Sequence, residues 1–522
     1  MSGEVTWEVT RAALAWSLGR VHNPRPVPPL GQDLGMLPTE GANRAHAAFG
    51  RPFRHLTQYV NGFSYGAQEP VDAPAAARLN EVEAAATLGR DWEDQYLPEI
   101  LRIYAAMDAF DADAADEAAL LDHLGWALDR MARIWELHFL VTPAYMAINL
   151  FLDHFAELFP GATDLEAARL LQGYGNRTTE AAGALDDLAR FVAAEGLLPL
   201  LRHARTLEDL SSSGPLASRL RAFLAAYGVL GADQGDAFGA SWVDAPHRLF
   251  AEIVERAGRQ EDTRERRARQ ARDREVALAE ARSQLAEEAR RRFDQLHDQA
   301  RVGVILSEDH HFHIDRSVLW RRRRLALAVG ARLVRRDVIE HEDDIFFLTL
   351  NQVTAALRAP TDLRQQAAAR RAEFARWQTL DPPARLGAPP SDGAGRADQV
   401  LRYQRRFFGA PQAQTTAGVI RGLAASPGVR SGPARVVTHL EMAGRIRPGD
   451  VLVCTTTNAS WVTLFDVASA IVTDTGGVLS HCAVVAREYG LPAVVGTGIA
   501  TRVIADGQMV EVDGTAGEVR LL

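Results

Sequence analysis

From about Pro74 to Arg259, apolar residues return every three or four positions, interrupted by short breaks such as Phe159-Pro160-Gly161 and Ser212-Ser213-Gly214-Pro215. That spacing predicts a series of packed helices. Between about Gln260 and Arg292 the large apolar residues thin out, and Arg, Glu, Gln and Ala take over with charges of both signs. A long solvated helix, about 260–300, is expected there. Upstream, closely spaced prolines in His22-Asn23-Pro24-Arg25-Pro26-Val27-Pro28-Pro29-Leu30 forbid regular helix or central strand and predict an extended arm. After Arg358 the pattern is helical again. It then breaks at Asp381-Pro382-Pro383, at Gly387 to Gly393, and from Gly409 to Thr416, all linker signals. Beyond that point short β-branched runs alternate with a helical one. The expected fold is a mainly α domain with its N-terminal arm, residues 1–412, followed by a small β/β/α domain, residues 413–522. A hinge between them would let the second domain travel.

Within the second domain, Ile471-Val472-Thr473-Asp474-Thr475-Gly476-Gly477-Val478-Leu479-Ser480-His481 reads as a strand, a glycine turn and a helix start. Gly476 and Gly477 permit a tight turn with close backbone approach, and Ser480 is a good N-cap. His481 then falls on the first helical turn. There, backbone N–H groups and the positive end of the helix dipole favour a phosphate, and the dipole favours a neutral, nucleophilic imidazole. A surface histidine without chemistry is the alternative.

A second concentration of ionisable groups is Ser307-Glu308-Asp309-His310-His311-Phe312-His313-Ile314-Asp315-Arg316, directly before the Arg321-Arg322-Arg323-Arg324 run. If the segment is helical, His310 and His313 share a face; if it is extended, His311 and His313 project together. Either arrangement offers a general base whose pKa the neighbouring carboxylates could tune. Two rivals are a zinc or manganese site and a polar network tying helices together through the arginines. His138, at helical spacing beside Trp135, is a secondary candidate, since such a residue is more often core or groove lining.

Composition narrows the choices. The chain has 522 residues, 47% hydrophobic, and a net charge of −9. It can bury more than one core, and interspersed acids argue against nucleic-acid binding. No uninterrupted apolar run reaches membrane-span length and no signal-peptide pattern opens the chain, so a cytoplasmic protein without membrane association is expected. Cys454 and Cys482 are expected to be packed thiols. All 58 basic side chains are arginine, which excludes a lysine Schiff base, a Walker-A lysine and a kinase β3 lysine.

The Thr-Asp-x-Gly-Gly-x-x-Ser-His stretch ending at His481 continues through Ala483 to Glu488 and Gly490 to Gly496. It resembles the phosphohistidine swivel domain of pyruvate phosphate dikinase, phosphoenolpyruvate synthase, rifampicin phosphotransferase and phenylphosphate synthase. Ala425-Ser426-Pro427-Gly428, Gly449-Asp450-Val451, Trp461, Asp506-Gly507 and Val512-Asp513-Gly514 extend the likeness. Trp7, the proline arm, Tyr59 to Tyr65, Trp92, Trp135 with His138-Phe139 and Leu170 to Asn176 are similar to landmarks of the central domain in the last two proteins. Glu308 to Asp315 resembles a segment of their substrate domain, and Glu342 to Leu348 its partner.

The resemblance implies that His481 carries a phosphoryl group. Gly476, Gly477 and the helix start would cradle it, Ser480 would cap the helix and bond nearby, and Arg487 would pair with phosphate oxygens. His310, His311 or His313, with Asp315, would serve acceptor chemistry, while Glu308, Asp309 and His138 would line the substrate site. ATP with Mg²⁺ is expected on a separate ATP-grasp-like partner, with no cofactor or metal held by this chain, and no pyruvate-binding barrel is expected. The acceptor would be a hydroxyl of a small apolar or aromatic molecule. Two other readings stand beside this one: a lyase or dehydratase that phosphorylates a hydroxyl and then eliminates it, and a non-catalytic swivel carrier. Leu479 departs from the threonine of regulated plant-type dikinases, Asn458-Ala459 from the usual loop, and Tyr227-Gly228 lacks a following arginine.

Overall fold

The computed structural model describes residues 5–19, 23, 25–72, 79–210, 214–231, 237–258, 263–389, 403, 405–409, 415–416, 418–438, 440–457 and 461–522. The Asn458-Ala459 departure, His22 and Pro24 of the arm, Ser212-Ser213, and most of the linker positions from 390 to 414 lie outside the described residues. The chain divides into two compact units. One comprises Met1–Pro143, Gln234–Gly239 and His313–Gly395; the other comprises Ala144–Asp233, Ala240–Phe312 and Arg396–Leu522.

The first unit is helical around Glu117–Leu140 and Ser317–Arg335, whose apolar stripes share a core with Leu30, Ile345 and Phe346. It also carries a four-stranded sheet that the helical periodicity does not announce. Phe53–Val60 and Phe63–Pro70 pair antiparallel across a two-residue turn, Asn61 at φ 48° and Gly62 at φ 78°. This is the backbone an Asn-Gly hairpin requires. Ala15–Leu18 and Arg385–Gly387 extend the sheet from distant points of the sequence. The proline arm is shorter than expected: Pro28 is extended, but Pro29 opens a helix, where its missing N–H costs nothing.

In the second unit the expected long charged helix is two helices, Thr263–Ser283 and Glu287–His310, separated at residues 284–286. Nor is the first fully solvated. Arg266, Gln270, Arg274, Leu278 and Ala281 form a buried stripe at helical spacing. Charge did not keep this face in water because its polar groups find partners: Arg274 donates to the Gln172 carbonyl at 2.8 Å and packs on the Tyr174 ring.

The C-terminal part of this unit holds a nine-stranded mixed sheet. Val429–Val436, Val451–Cys454, Ala470–Thr473 and Ala493–Val495 run parallel at its centre. Val451–Cys454, Ala470–Thr473 and Ala493–Val495 are buried at every position, so both faces must be covered. One face packs under Trp461, Phe465, Cys482 and Tyr489; the other under Ala500, Ile504 and Val510. Cys454 and Cys482 are free, buried thiols, and burial pushes that of Cys482 up to about 12. A helical region followed by a small mixed α/β domain is the expected class.

Across Glu117–Leu158 one window is apolar enough to cross a bilayer by composition, and 56% of it is buried in the protein.

Candidate functional site

Strand Ala470–Thr473 delivers the chain to Asp474, whose carboxylate accepts from the Thr501 N–H at 3.1 Å and the Thr497 hydroxyl at 3.3 Å. The glycine turn that follows therefore sits at the carboxyl edge of the parallel strands, where sheets of this kind place ligands. Gly476 adopts φ 106°, and an added Cβ would lie 2.8 Å from Ser480 Oγ. Ser480 caps the next helix, accepting from Ala483 N–H at 3.4 Å. That helix, His481–Tyr489, ends at Gly490 in the left-handed conformation, with Leu491 N–H closing on the Ala486 carbonyl at 2.9 Å. His481 is thus the first helical residue.

The imidazole of His481 lies between two elements of the same unit. Its Nδ1 is 3.4 Å from Thr457 Oγ1, and its Nε2 is 3.5 Å from Glu308 Oε2, an ion-pair distance rather than a hydrogen bond. Glu308, on helix Glu287–His310, is 2% exposed. Burial first, then the charges of Asp309 and Glu488, push its carboxyl up to about 8. At neutral pH it is an acid facing a ring nitrogen. Glu488 lies two turns along the His481 helix on the same face; it accepts from Gly173 N–H at 2.8 Å, and burial raises its carboxyl to about 7. Asp309 is bonded to another helix. It accepts from the Arg177 N–H at 2.7 Å, at the first turn of helix Arg177–Ala194, and burial lifts its carboxyl to about 6.

The groups expected to contact phosphate are hydrogen-bonded within the protein in this arrangement. The N–H groups of Gly476 and Gly477 donate to the carbonyls of Phe408 at 3.2 Å and Phe407 at 3.0 Å. They face a neighbouring segment and not an open cradle. Arg487 points into the domain, donating to the carbonyls of Ala425 at 2.8 Å and Val478 at 2.9 Å. Burial draws its pKa down to about 10. It braces the turn from inside, because a side chain at this point of the helix lies over the sheet.

The Glu308–Asp315 stretch is helical. The α-helix runs to His310 and passes into a π-helical turn, His311–Arg316, a rare geometry frequent at functional sites. His310 Nδ1 donates to the Leu306 carbonyl at 2.5 Å, which fixes the orientation of the ring. The rings of His310 and His311 are 4.1 Å apart. The remaining candidates belong to the first unit. His138 Nδ1 is 3.2 Å from the buried Asp315 carboxylate, and His313 sits edge-on to Trp92 at 5.9 Å while its carbonyl accepts from the Tyr104 hydroxyl at 2.8 Å. That unit also contains a cleft of about 360 Å³. Met107, Ala127 and Met131 line its apolar side, the stacked pair Phe110–His123 (3.7 Å) forms a wall, and Arg321 and Arg324 reach it from helix Ser317–Arg335.

Thr457 and Glu488 stand near His481 and were not singled out from the sequence. Glu488 carried a signal, its seven-residue spacing from His481; Thr457 carried none, since its partner is remote in sequence.

His481 thus stands at a capped helix start, at the carboxyl edge of the parallel strands. Residues 446–517 match the PEP-utilising enzyme mobile domain, and residues 138–308 match the rifampicin phosphotransferase fourth domain. Both matches fall within the phosphohistidine swivel family of PEP-utilising enzymes, which these two regions of the chain resemble. It is 33% identical over 515 residues to chondramide synthase cmdD of Chondromyces crocatus, covering 92% of this chain and 13% of that protein. It is 29% identical over 420 residues to a rifampicin phosphotransferase of Streptomyces sviceus, covering 77% and 46%. The uncharacterized phosphotransferase YvkC of Bacillus subtilis is 32% identical over 319 residues, covering 60% and 38%. The chain therefore spans less than half the length of each of these relatives.

Proposed function

We propose that the protein is a phosphotransferase component in which Nε2 of His481 carries a phosphoryl group from ATP to a hydroxyl of a small apolar or aromatic molecule. The observation that carries this reading is the presentation of His481 by a capped helix start to the buried acid Glu308 at 3.5 Å. A phosphoryl group on Nε2 would not fit in that gap, so loading and this docked posture exclude one another. A buried carboxyl facing the imidazole also suits a triphosphate poorly. Both points favour charging elsewhere, with ATP and Mg²⁺ on a separate ATP-grasp-like protein. The cleft of the first unit, with its thioethers and aromatic wall, suits an apolar or aromatic acceptor.

In the transfer step the N–P bond breaks, the acceptor oxygen bonds phosphorus, and the imidazole regains its lone pair. The hydroxyl proton passes to a general base at the acceptor site. The rest is positioning and charge stabilisation.

The test is labelling from γ-labelled ATP with an ATP-grasp-like partner. Acid-labile label is expected in the wild type and none in His481→Ala. Label that persists in His481→Ala would remove the carrier role.

A further inference from the structure

The segment that contacts the glycine turn has no part in the reading above. Residues 405–408 form a helical turn whose last carbonyls would otherwise lack partners. The glycine turn supplies them: Leu479 N–H donates to Arg406 O at 2.7 Å, Gly477 N–H to Phe407 O at 3.0 Å and Gly476 N–H to Phe408 O at 3.2 Å. The fit leaves no slack. A Cβ on Gly477 would lie 2.3 Å from Arg406 O, and one on Gly409 would lie 2.4 Å from Gly476 O.

Arg406 fixes this segment from the other side. Its guanidinium, 9% exposed, makes a two-pronged contact with Asp164 at 2.8 and 2.7 Å, and also bonds Asp153 at 2.7 Å and Asn149 at 3.3 Å. Tyr403 donates to the second oxygen of Asp153 at 3.1 Å, and the Phe407 ring meets Tyr145 edge-on at 4.4 Å. A paired, buried guanidinium of this kind holds geometry tightly.

We propose that residues 405–409 are a strap, that Arg406 is its positioning residue, and that the strap competes with a phosphoryl group on His481 for the backbone donors of the glycine turn. With the strap seated, those amides are spent on carbonyls and give an anion nothing. With it lifted, they become a concave set of donors beside the helix start, the arrangement that binds phosphate. Arg406 therefore sets how readily His481 is loaded and how long the phosphoryl group is retained. This inference rests on the phosphohistidine reading.

Potassium phosphoramidate tests it on the full chain without any partner, since it transfers its phosphoryl group to an imidazole nitrogen with ammonia leaving. Arg406→Ala should label His481 about tenfold faster than wild type, the equivalent of one lost charge-assisted contact, and lengthen the phosphohistidine half-life. Amide exchange at Gly476, Gly477 and Leu479 should quicken in the same variant. Asp164→Asn, which keeps the Asp153 contact, should give a smaller shift in the same direction and serves if Arg406→Ala fails to fold. Faster amide exchange with unchanged labelling rate and half-life would overturn the strap while leaving the carrier reading intact. Absence of label on His481 in all three proteins would sink the carrier reading and the strap with it.

Discussion

At the scale of single residues, the burial of Glu308 near Asp309 and Glu488 makes stability depend on pH in a definite direction. The folded-state pKa of Glu308, about 8, lies above its ordinary 4.5. The native protein therefore holds a proton that the unfolded chain gives up between those values. Its contribution is fully present below about pH 4.5 and is lost as pH rises through about 8. Glu488, at about 7, adds to the same trend. Wild type should lose thermal stability between pH 6 and 9, on the order of a few kcal/mol in all, and Glu308→Gln should flatten much of that slope. Parallel melting curves for the two proteins would show that Glu308 is not held as an acid. Much of this residue-level picture was legible beforehand: Ser480 as cap, His481 as first helical residue, and the acid-histidine cluster all follow from local pattern. What was hidden is where amides and guanidinium groups spend their hydrogen bonds. Arg487 looked like a phosphate ligand because its charge is visible in the sequence, whereas the carbonyls of Ala425 and Val478 that take it up are visible only once the sheet has closed.

Among elements, the glycine turn and the helices beneath it behave as one fitted joint. Leu479 leaves the turn to bury itself with Ile148, Val304 and Phe293 in a helical cluster. Gly477→Ala should force either the turn or the strap to move, at a cost of about 1–3 kcal/mol in thermal or chemical unfolding; an unshifted midpoint would mean that the contact with the Arg406 carbonyl is already loose. A second joint lies at Arg256, 1% exposed, which bonds Asp186 and Glu252 at 2.8 Å each and also pairs with Asp466. Replacing it by methionine removes the shared counter-charge of three acids, Asp186, Glu252 and Asp466, and should cost about 3–5 kcal/mol, partly restored by adding Asp466→Asn. No such recovery would mean that packing, and not charge, is what Arg256 supplies. Helix periodicity foretold the helices well, yet it passed over the sheet of the first unit. The Asn61-Gly62 pair was a hairpin signal in plain view, but Ala15–Leu18 and Arg385–Gly387 become strands only by pairing with partners far along the sequence. The two-signed charge of Thr263–Ser283 likewise suggested solvent, because a sequence displays charges and conceals their partners.

For the whole molecule, two compact units with separate cores imply that unfolding is not a single event. Calorimetry should give a van't Hoff enthalpy below the measured one, and a ratio of unity would show the units melting together. The chain weaves between the units several times, so an order of helices that reads as one continuous domain in sequence resolves into two only through long-range contacts. Cys454 and Cys482 offer a way to watch one of these cores alone. Both thiols are sealed under the sheet of the mobile domain, one of them immediately beside the histidine, and burial keeps them in the unreactive form. Chemical modification can reach them only in the moments when that core comes apart. The protein thus carries a built-in clock: the rate at which it consumes a thiol reagent counts openings of the C-terminal α/β domain, and a movement of that domain as an intact body would leave the clock unchanged.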